Sequence, residues 1–523
     1  AKVAIPDDKR TDTQELEAAG SADAAGESQP DPDAAFTLSE AEEDSAQTQE
    51  GKDTTEEKKE PAEDSPKEDV VYEYAPADPE PEQQATKPAL STPEEPEATA
   101  PEATQANAPA AAPTTPTAPV ADPPAEGSVK NPTTNVIKVV NNWVGKAAKE
   151  LKIRLSNVNI KVGNSVDKAA MDVSGGGKTK VELDGQNVLD SYSVRYQAGL
   201  RKQGEGTLII TDETDDRGNK ITTPKSNDSG SLTAKGAGGN GAAGIGGSAA
   251  EGTKNIIIEG YATVDAAGGG YGAGIGGGGY YGEEKPGDAE NIIIQGYATV
   301  HASGNAGIGG GYAGNAKNII IRGHSKVTAT ARDGAAIGGG SAGWSSYYGG
   351  SAKGIVICDH ATVAARSDMG HGAAIGAAGD NGKDTEAEVT IGTAGATAEQ
   401  EDVHVTATGF CGSAIGNGAK DTKVTIQGHS TIRMESERGN STAIGSKDGN
   451  VEVNIKDNVT IDAKGEGNSI RYEGGGSGIG GEDIRVDSNR KVVVNIDGGT
   501  NGKVKIGDGV QIFGKYGAIS ATE

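Results

Sequence analysis

The sequence predicts an all-β fold: a right-handed parallel β-helix with three strands per coil and about nine or more coils. Three observations predict it. An isoleucine, followed by glycine in every case but the last, recurs at Ile245, Ile275, Ile308, Ile337, Ile375, Ile415, Ile444, Ile479 and Ile519, at intervals of 29–40 residues. Between these anchors lie two short apolar runs, such as Ile256–Ile258 with Thr263–Ala266 and Ile319–Ile321 with Lys326–Ala329. Inside those runs the period is two and never helical.

The alternation assigns faces. Stacking the units places Val264, Val300, Val327, Val363, Val405, Ile432, Ile461 and Ile512 in one inward column. The adjacent column is Thr263, Thr299, Lys326, Thr362, His404, Thr431, Thr460 and Gln511, polar and therefore outward. Coils then stack at the inter-strand spacing of roughly 4.8 Å. The AGIGG segments supply the third, short face, where glycine permits tight turns.

Ahead of the repeat the chain has a different character. Residues 1–126 hold 32 Asp and Glu against 8 Lys and Arg, and 18 of the 21 prolines. Such a segment buries too little apolar area to offset its chain entropy, which predicts a disordered acidic stalk rich in Pro, Ala and Glu. Residues 127–175 read as an N-terminal cap and 176–523 as the β-helix. Within the cap, Val136, Val140, Trp143, Val144, Ala147 and Leu151 fall at helical spacing, which predicts a short capping helix over the first coil.

Composition excludes some functions. The formal charge of −28 sits mostly on the tail, and no basic footprint for nucleic acid is present. No apolar run reaches the roughly 18 residues of a membrane-spanning helix. The two cysteines, Cys358 and Cys411, occupy different points of the repeat, which speaks against a disulfide. The chain starts at Ala1 and its last unit looks cut short, so a removed leader and a longer parent protein are expectations.

The repeat, a strand followed by a GYATV-like strand and GAGIGGG, resembles surface proteins of Gram-positive gut bacteria that carry a right-handed parallel β-helix. The resemblance covers about residues 176–523. It implies an extracellular protein on the bacterial surface. Some relatives are described as carbohydrate-binding or adhesin domains, which makes a polysaccharide or a host or cell-surface glycan the expected partner.

Three groups of residues are candidates for function. The first is a set of aromatics in glycine-rich loops of three successive units: Tyr271, Tyr280, Tyr281, Tyr312, Trp344, Tyr347 and Tyr348. Sugar rings stack on aromatic planes and tyrosine adds a hydroxyl; the alternative is that these rings only cover the coil. The second is an outward strip of Ile257, Ile293, Ile320 and Val356, followed in the same column by Thr390, Thr425 and Asn454. An exposed apolar strip implies a contact: the chain's own N-terminal helix or a long loop, a protein partner or self-association. The third is DETDDRGN, where Asp212, Asp215 and Asp216 form a candidate calcium loop without the glycine and terminal glutamate of an EF-hand; otherwise it is an ordinary acidic loop, and no other metal or cofactor is expected.

Tyr261, Tyr297, His324, His360, His429 and Asn458 share a corner and read as a stacked ladder, because no metal-ligand spacing accompanies the histidines. For catalysis, the column Asp265, His301, Thr328, Ala364, Thr406, Arg433, Asp462 has no two acids on neighbouring coils. The sequence therefore predicts a non-catalytic adhesin or glycan-binding module. The alternatives are a structural or self-associating surface fibre and a polysaccharide lyase or glycoside hydrolase.

Overall fold

A computed structural model describes residues 133–143 and, with short interruptions, 150–465, together with 478–481, 492–497 and the strand segments 2–4, 505–506, 512–513 and 520–522. Apart from Lys2–Ala4, the expected stalk, residues 1–126, lies outside the described residues. Its strands form three sheets of 13, 11 and 12 strands. In each sheet a strand pairs with its counterpart one coil earlier and one coil later, and the pairing is parallel. The exception among the described strands is Lys2–Ala4, which lies antiparallel to Arg154–Ser156 at one edge.

One coil shows how the sequence makes three faces. Ala289–Ile294 forms the long face, Thr299–Gly304 the valine face and Ile308–Gly309 the anchor face. On the long face Ile292 and Ile294 are buried and Ile293 is half-exposed. On the valine face Val300 and Ala302 point in while Thr299, His301 and Ser303 point out. Ile308 fills the third side of the interior with no exposed surface. The same arrangement repeats so that one apolar core runs from Val139 to Val494. Strand pairing continues across residues 175 and 176, since Leu151–Ser156 pairs with Thr179–Asp184.

The valine column stacks as the pattern requires from Val264 through Val300, Val327, Val363, Val405 and Ile432 to Ile461. Its last members differ. Ile461 pairs with Ile506, not Ile512, and the outward neighbour is Lys505, not Gln511. Ile512 pairs with Ile479 on the anchor face, and by Ser520 the chain has returned to the long face beside Asn495. Ile512 therefore takes the anchor position after Ile479, and Ile519 lies outside the described residues. Ile512 is followed by Phe513 and lacks the glycine signal, which shifts the sequence phase by one face.

The N-terminal helix is also corrected. Ile137–Val140 is a strand, parallel to Met171–Ser174 in the anchor-face sheet. Val139 is buried, whereas Val140 and Trp143, which a helix would turn toward the coil, are about half exposed at 52% and 50%. β-branched residues dominate this stretch, and an open sheet edge offers their backbone hydrogen bonds. Residues 144–149 of the expected helix lie outside the described residues.

Each anchor glycine is held where side chains do not fit. Gly276, Gly309, Gly338 and Gly376 have φ of 141°, 140°, 142° and 141°. A Cβ on Gly309 would stand 1.9 Å from the carbonyl oxygen of Gly338. Gly395, at φ +71°, has no atom within 4 Å of that position. Gly309→Ala is expected to destabilise the fold by at least about 4 kcal/mol, and Gly395→Ala by only about 1 kcal/mol. Chemical denaturation of both variants measures the contrast.

Candidate functional site

Of the candidate aromatics, Tyr271 lies where the valine face turns into the anchor face and Tyr312 where the anchor face turns into the long face. Tyr271 and Tyr312 meet edge to face, with centroids 5.4 Å apart and planes at 88°. The Arg332 guanidinium carbon lies 5.8 Å from the Tyr271 ring centre. Arg332 also donates to Asp333 at 2.7 Å and to the Gly270 carbonyl, which fixes it across the corner. Glycines make room for this cluster: a Cβ on Gly241 would meet Tyr271 Cβ at 2.7 Å, and one on Gly279 would meet Tyr312 Cβ at 2.6 Å. The two tyrosines thus lie against glycine-lined backbone, as the covering role requires, yet remain half-exposed.

Tyr280, Tyr281, Trp344, Tyr347 and Tyr348 lie outside the described residues. The points where their segments leave the coil are described. Ser341 and Gly349 bridge antiparallel at the base of one segment. Asn305 ties that base down, accepting from Ser341 N at 2.8 Å and donating to its carbonyl at 3.0 Å. The adjoining Gly340 N donates to Gly314 O at 2.8 Å, two residues beyond Tyr312 in the chain. The other segment ends at Gly287, whose carbonyl accepts from Gly311 N at 2.7 Å. Both aromatic segments are therefore rooted beside Tyr312.

The outward strip is in register. Ile257, Ile293, Ile320 and Val356 follow one another on successive coils, then Thr390, Thr425 and Asn454. All four aliphatic residues are half-exposed, and the buried Ile209 extends the column upstream. Asn255, Asn291 and Asn318 form an amide ladder along one side, with contacts of 3.0 and 3.1 Å. Glu259, Gln295 and Arg322 form a second ladder on the other, at 2.7 and 2.9 Å. Ile137–Val140 of the expected covering helix belongs instead to the anchor-face sheet.

The acidic loop does not assemble a cation site from its described carboxylates. Asp212 turns inward, is buried, and accepts from Gly230 N at 2.7 Å. Asp215 instead accepts from Asn219 N and Nδ2 at 2.8 and 3.0 Å. Arg154 joins Asp184, through Nη2 at 2.8 Å, to the Asp215 carbonyl. Asp216 lies outside the described residues, and no group of three metal-ligating side chains converges among those described.

The corner ladder is present. Tyr261 stacks on Tyr297 at 5.1 Å, Tyr297 on His324 at 4.8 Å, and His324 on His360 at 4.6 Å. The next position is Asp402, which sequence spacing skipped because an insertion precedes it. Asp402 Oδ1 lies 3.4 Å from His429 Nδ1, and its Oδ2 lies 3.1 Å from His404 Nε2. Glu401 beside it is buried and accepts from the amides of Thr393 at 2.8 Å and His429 at 3.1 Å, which fixes the insertion to the coil. The Glu401–Asp402 pair directly before a strand was the available signal. Both cysteines are free. Burial, with Asp359 beside it, pushes the Cys358 thiol up to about 12.

One further feature was not anticipated. Outward residues of the valine face, among them Lys235, Asp265, His301 and Thr330, line a groove with about 180 Å³ of space. His301 Nδ1 is 3.0 Å from Asp265 Oδ1 across one coil step. Compared with family models, curated proteins and solved structures, the chain gives no match. Among the described residues no helix is long and apolar enough to cross a membrane.

Asp212 sets a pH dependence. Burial, as the largest cause, raises its pKa from the ordinary 3.8 to about 6. The folded state therefore holds this proton more tightly than the unfolded chain, and the resulting stability is lost as pH rises from about 4 through 6. Asp212→Asn keeps an acceptor for Gly230 N and removes the buried charge. Melting curves are expected to show the variant more stable than the parent at pH 8 and the gap closing below about pH 4. A gap independent of pH would contradict this.

Proposed function

We propose that this chain is a non-catalytic glycan-binding module or adhesin displayed at the surface of a bacterial cell. The observation that supports it is the Tyr271–Tyr312–Arg332 corner. Two half-exposed tyrosines and a guanidinium sit on a rigid coil, beside the roots of segments that carry five more aromatics. Aromatic faces take the apolar side of a pyranose, and the phenol and guanidinium reach its hydroxyls. Rigid strands hold these groups at little ordering cost on binding. A polysaccharide or a host or cell-surface glycan is the partner this chemistry fits.

A glycan array probed with the full chain tests the reading. A hit is expected, and Tyr271→Ala with Tyr312→Ala is expected to weaken it by at least about tenfold while the melting temperature stays within a few degrees. A large fall in melting temperature with glycan binding unchanged would mean that the rings only cover the coil.

The strip of Ile257, Ile293, Ile320 and Val356 supports a second reading, a self-associating surface fibre. Under it the parent chain runs above monomer mass in light scattering, and Ile293→Thr with Ile320→Thr returns it to monomer. A monomeric parent chain would remove self-association.

A further inference from the structure

The groove on the valine face arises from a size pattern across coils. In one outward column the small Ala267 and Ser303 lie between Lys235 and Thr330, leaving a hollow where the neighbouring coils carry longer side chains. Ala266 and Ala302 lie beneath it, nearly buried. Their side chains point into the core, so the floor is strand backbone with the outward Ala267 methyl, and the rim is polar. On the rim, Asp265 and His301 form one pair, Lys235 stands exposed, and Thr233, Ser303 and Thr330 add hydroxyls.

We infer that this groove is a binding subsite for one uncharged pyranose unit of a longer glycan. The inference rests on the glycan-binding reading above but uses a different set of residues. The space, about 180 Å³, falls below the roughly 300–1,000 Å³ of pockets that enclose a whole drug-sized ligand. It suits a single ring with the rest of the chain running over the coil surface. The ring's C–H face lies on the Ala267 methyl and the strand backbone beside it. Asp265 accepts hydrogen bonds from hydroxyls, and Lys235 and the threonine and serine hydroxyls donate to ring and hydroxyl oxygens. Charge selects an uncharged unit over a uronate. Asp265 faces the groove, and Asp190 lies one coil from Lys235 in the same column. Asp190 accepts from Tyr192 N at 2.9 Å, and Lys235 forms no ion pair among the described residues. An anionic sugar would thus approach two carboxylates, while the single exposed lysine offsets only one.

The groove also lies close in the chain to the aromatic corner. The strand that ends at Ala267 leads within a few residues to Tyr271, and the one that ends at Ala331 leads directly to Arg332. A glycan chain crossing the coil can engage both.

Calorimetric titration of the full chain with cello-, manno- and galacto-hexaose and with an oligogalacturonate hexamer tests the inference. At least one neutral hexaose is expected to bind, and the uronate hexamer is not. Ala267→Leu fills the hollow and Asp265→Asn removes the charged acceptor; each is expected to weaken the neutral ligand by about tenfold or more. Melting curves check that both variants fold, and Asp265→Asn decides the question if Ala267→Leu does not. Binding that survives both changes but is lost with Tyr271→Ala and Tyr312→Ala would overturn the groove and leave the aromatic corner standing. Binding of the uronate alone would overturn the ligand class. No binding of any hexamer by the parent chain would overturn the groove and the glycan-binding reading together.

Discussion

From Ile245 to Ile479 the anchor face admits one isoleucine and no Cβ on the residue after it. At Gly276, Gly309 and Gly338 that missing atom would stand 1.9 Å from the carbonyl oxygen of the equivalent glycine one coil on. This contact recurs because the coils are parallel and in register, so an oxygen on one coil always faces the same position on its neighbour. The short face can then be two residues long, the chain reverses within a few small residues, and a coil closes in about 30. Lengthening is tolerated only in the corners, where the interval between anchors changes without moving a core residue.

Register also converts single side chains into columns. A tyrosine or histidine at one corner becomes a ring stack over four coils, with centroids 4.6–5.1 Å apart. An outward isoleucine becomes an apolar strip, and a pair of small outward residues becomes a groove. Each ion pair or amide contact along such a column is modest when exposed, and the apolar core supplies most of the stability. The columns matter chiefly because they place chemistry at a fixed spacing on a surface that does not rearrange.

Most of the coil was legible from the amino acids. Period-two alternation identified the faces of Thr263–Ala267, and the anchors from Ile245 to Ile479 stack as spaced. The misread parts share a cause: local pattern competed with tertiary pairing. Val136, Val140 and Trp143 have helical spacing, but a sheet edge at Met171–Ser174 takes the adjacent residues as a strand. Ile512 is an anchor without its glycine. Asp402 was skipped because the insertion before it breaks the interval. The site was less legible. Tyr271 and Tyr312 were singled out and do meet, but Arg332 joins them only through the stacking of separate coils. The acids of the Asp212 loop are adjacent in sequence and face different partners in space. The groove depends on Ala267 and Ser303, residues whose small size carries no signal until their neighbours are placed.

The core, the side-chain columns and the groove all depend on the in-register stacking of equivalent residues. Oxidative cross-linking measures it directly, in a chain whose own cysteines are changed by Cys358→Ser and Cys411→Ser. Thr299 and Lys326 are register partners on neighbouring coils, which places their Cα atoms roughly 4.8 Å apart, within disulfide range. Thr299→Cys with Lys326→Cys is expected to form a disulfide readily and without loss of melting temperature. Thr299→Cys with Thr330→Cys, displaced along the strand by roughly 13 Å, is expected to form none. Equal cross-linking of the two pairs, or none in the first, would contradict the coil.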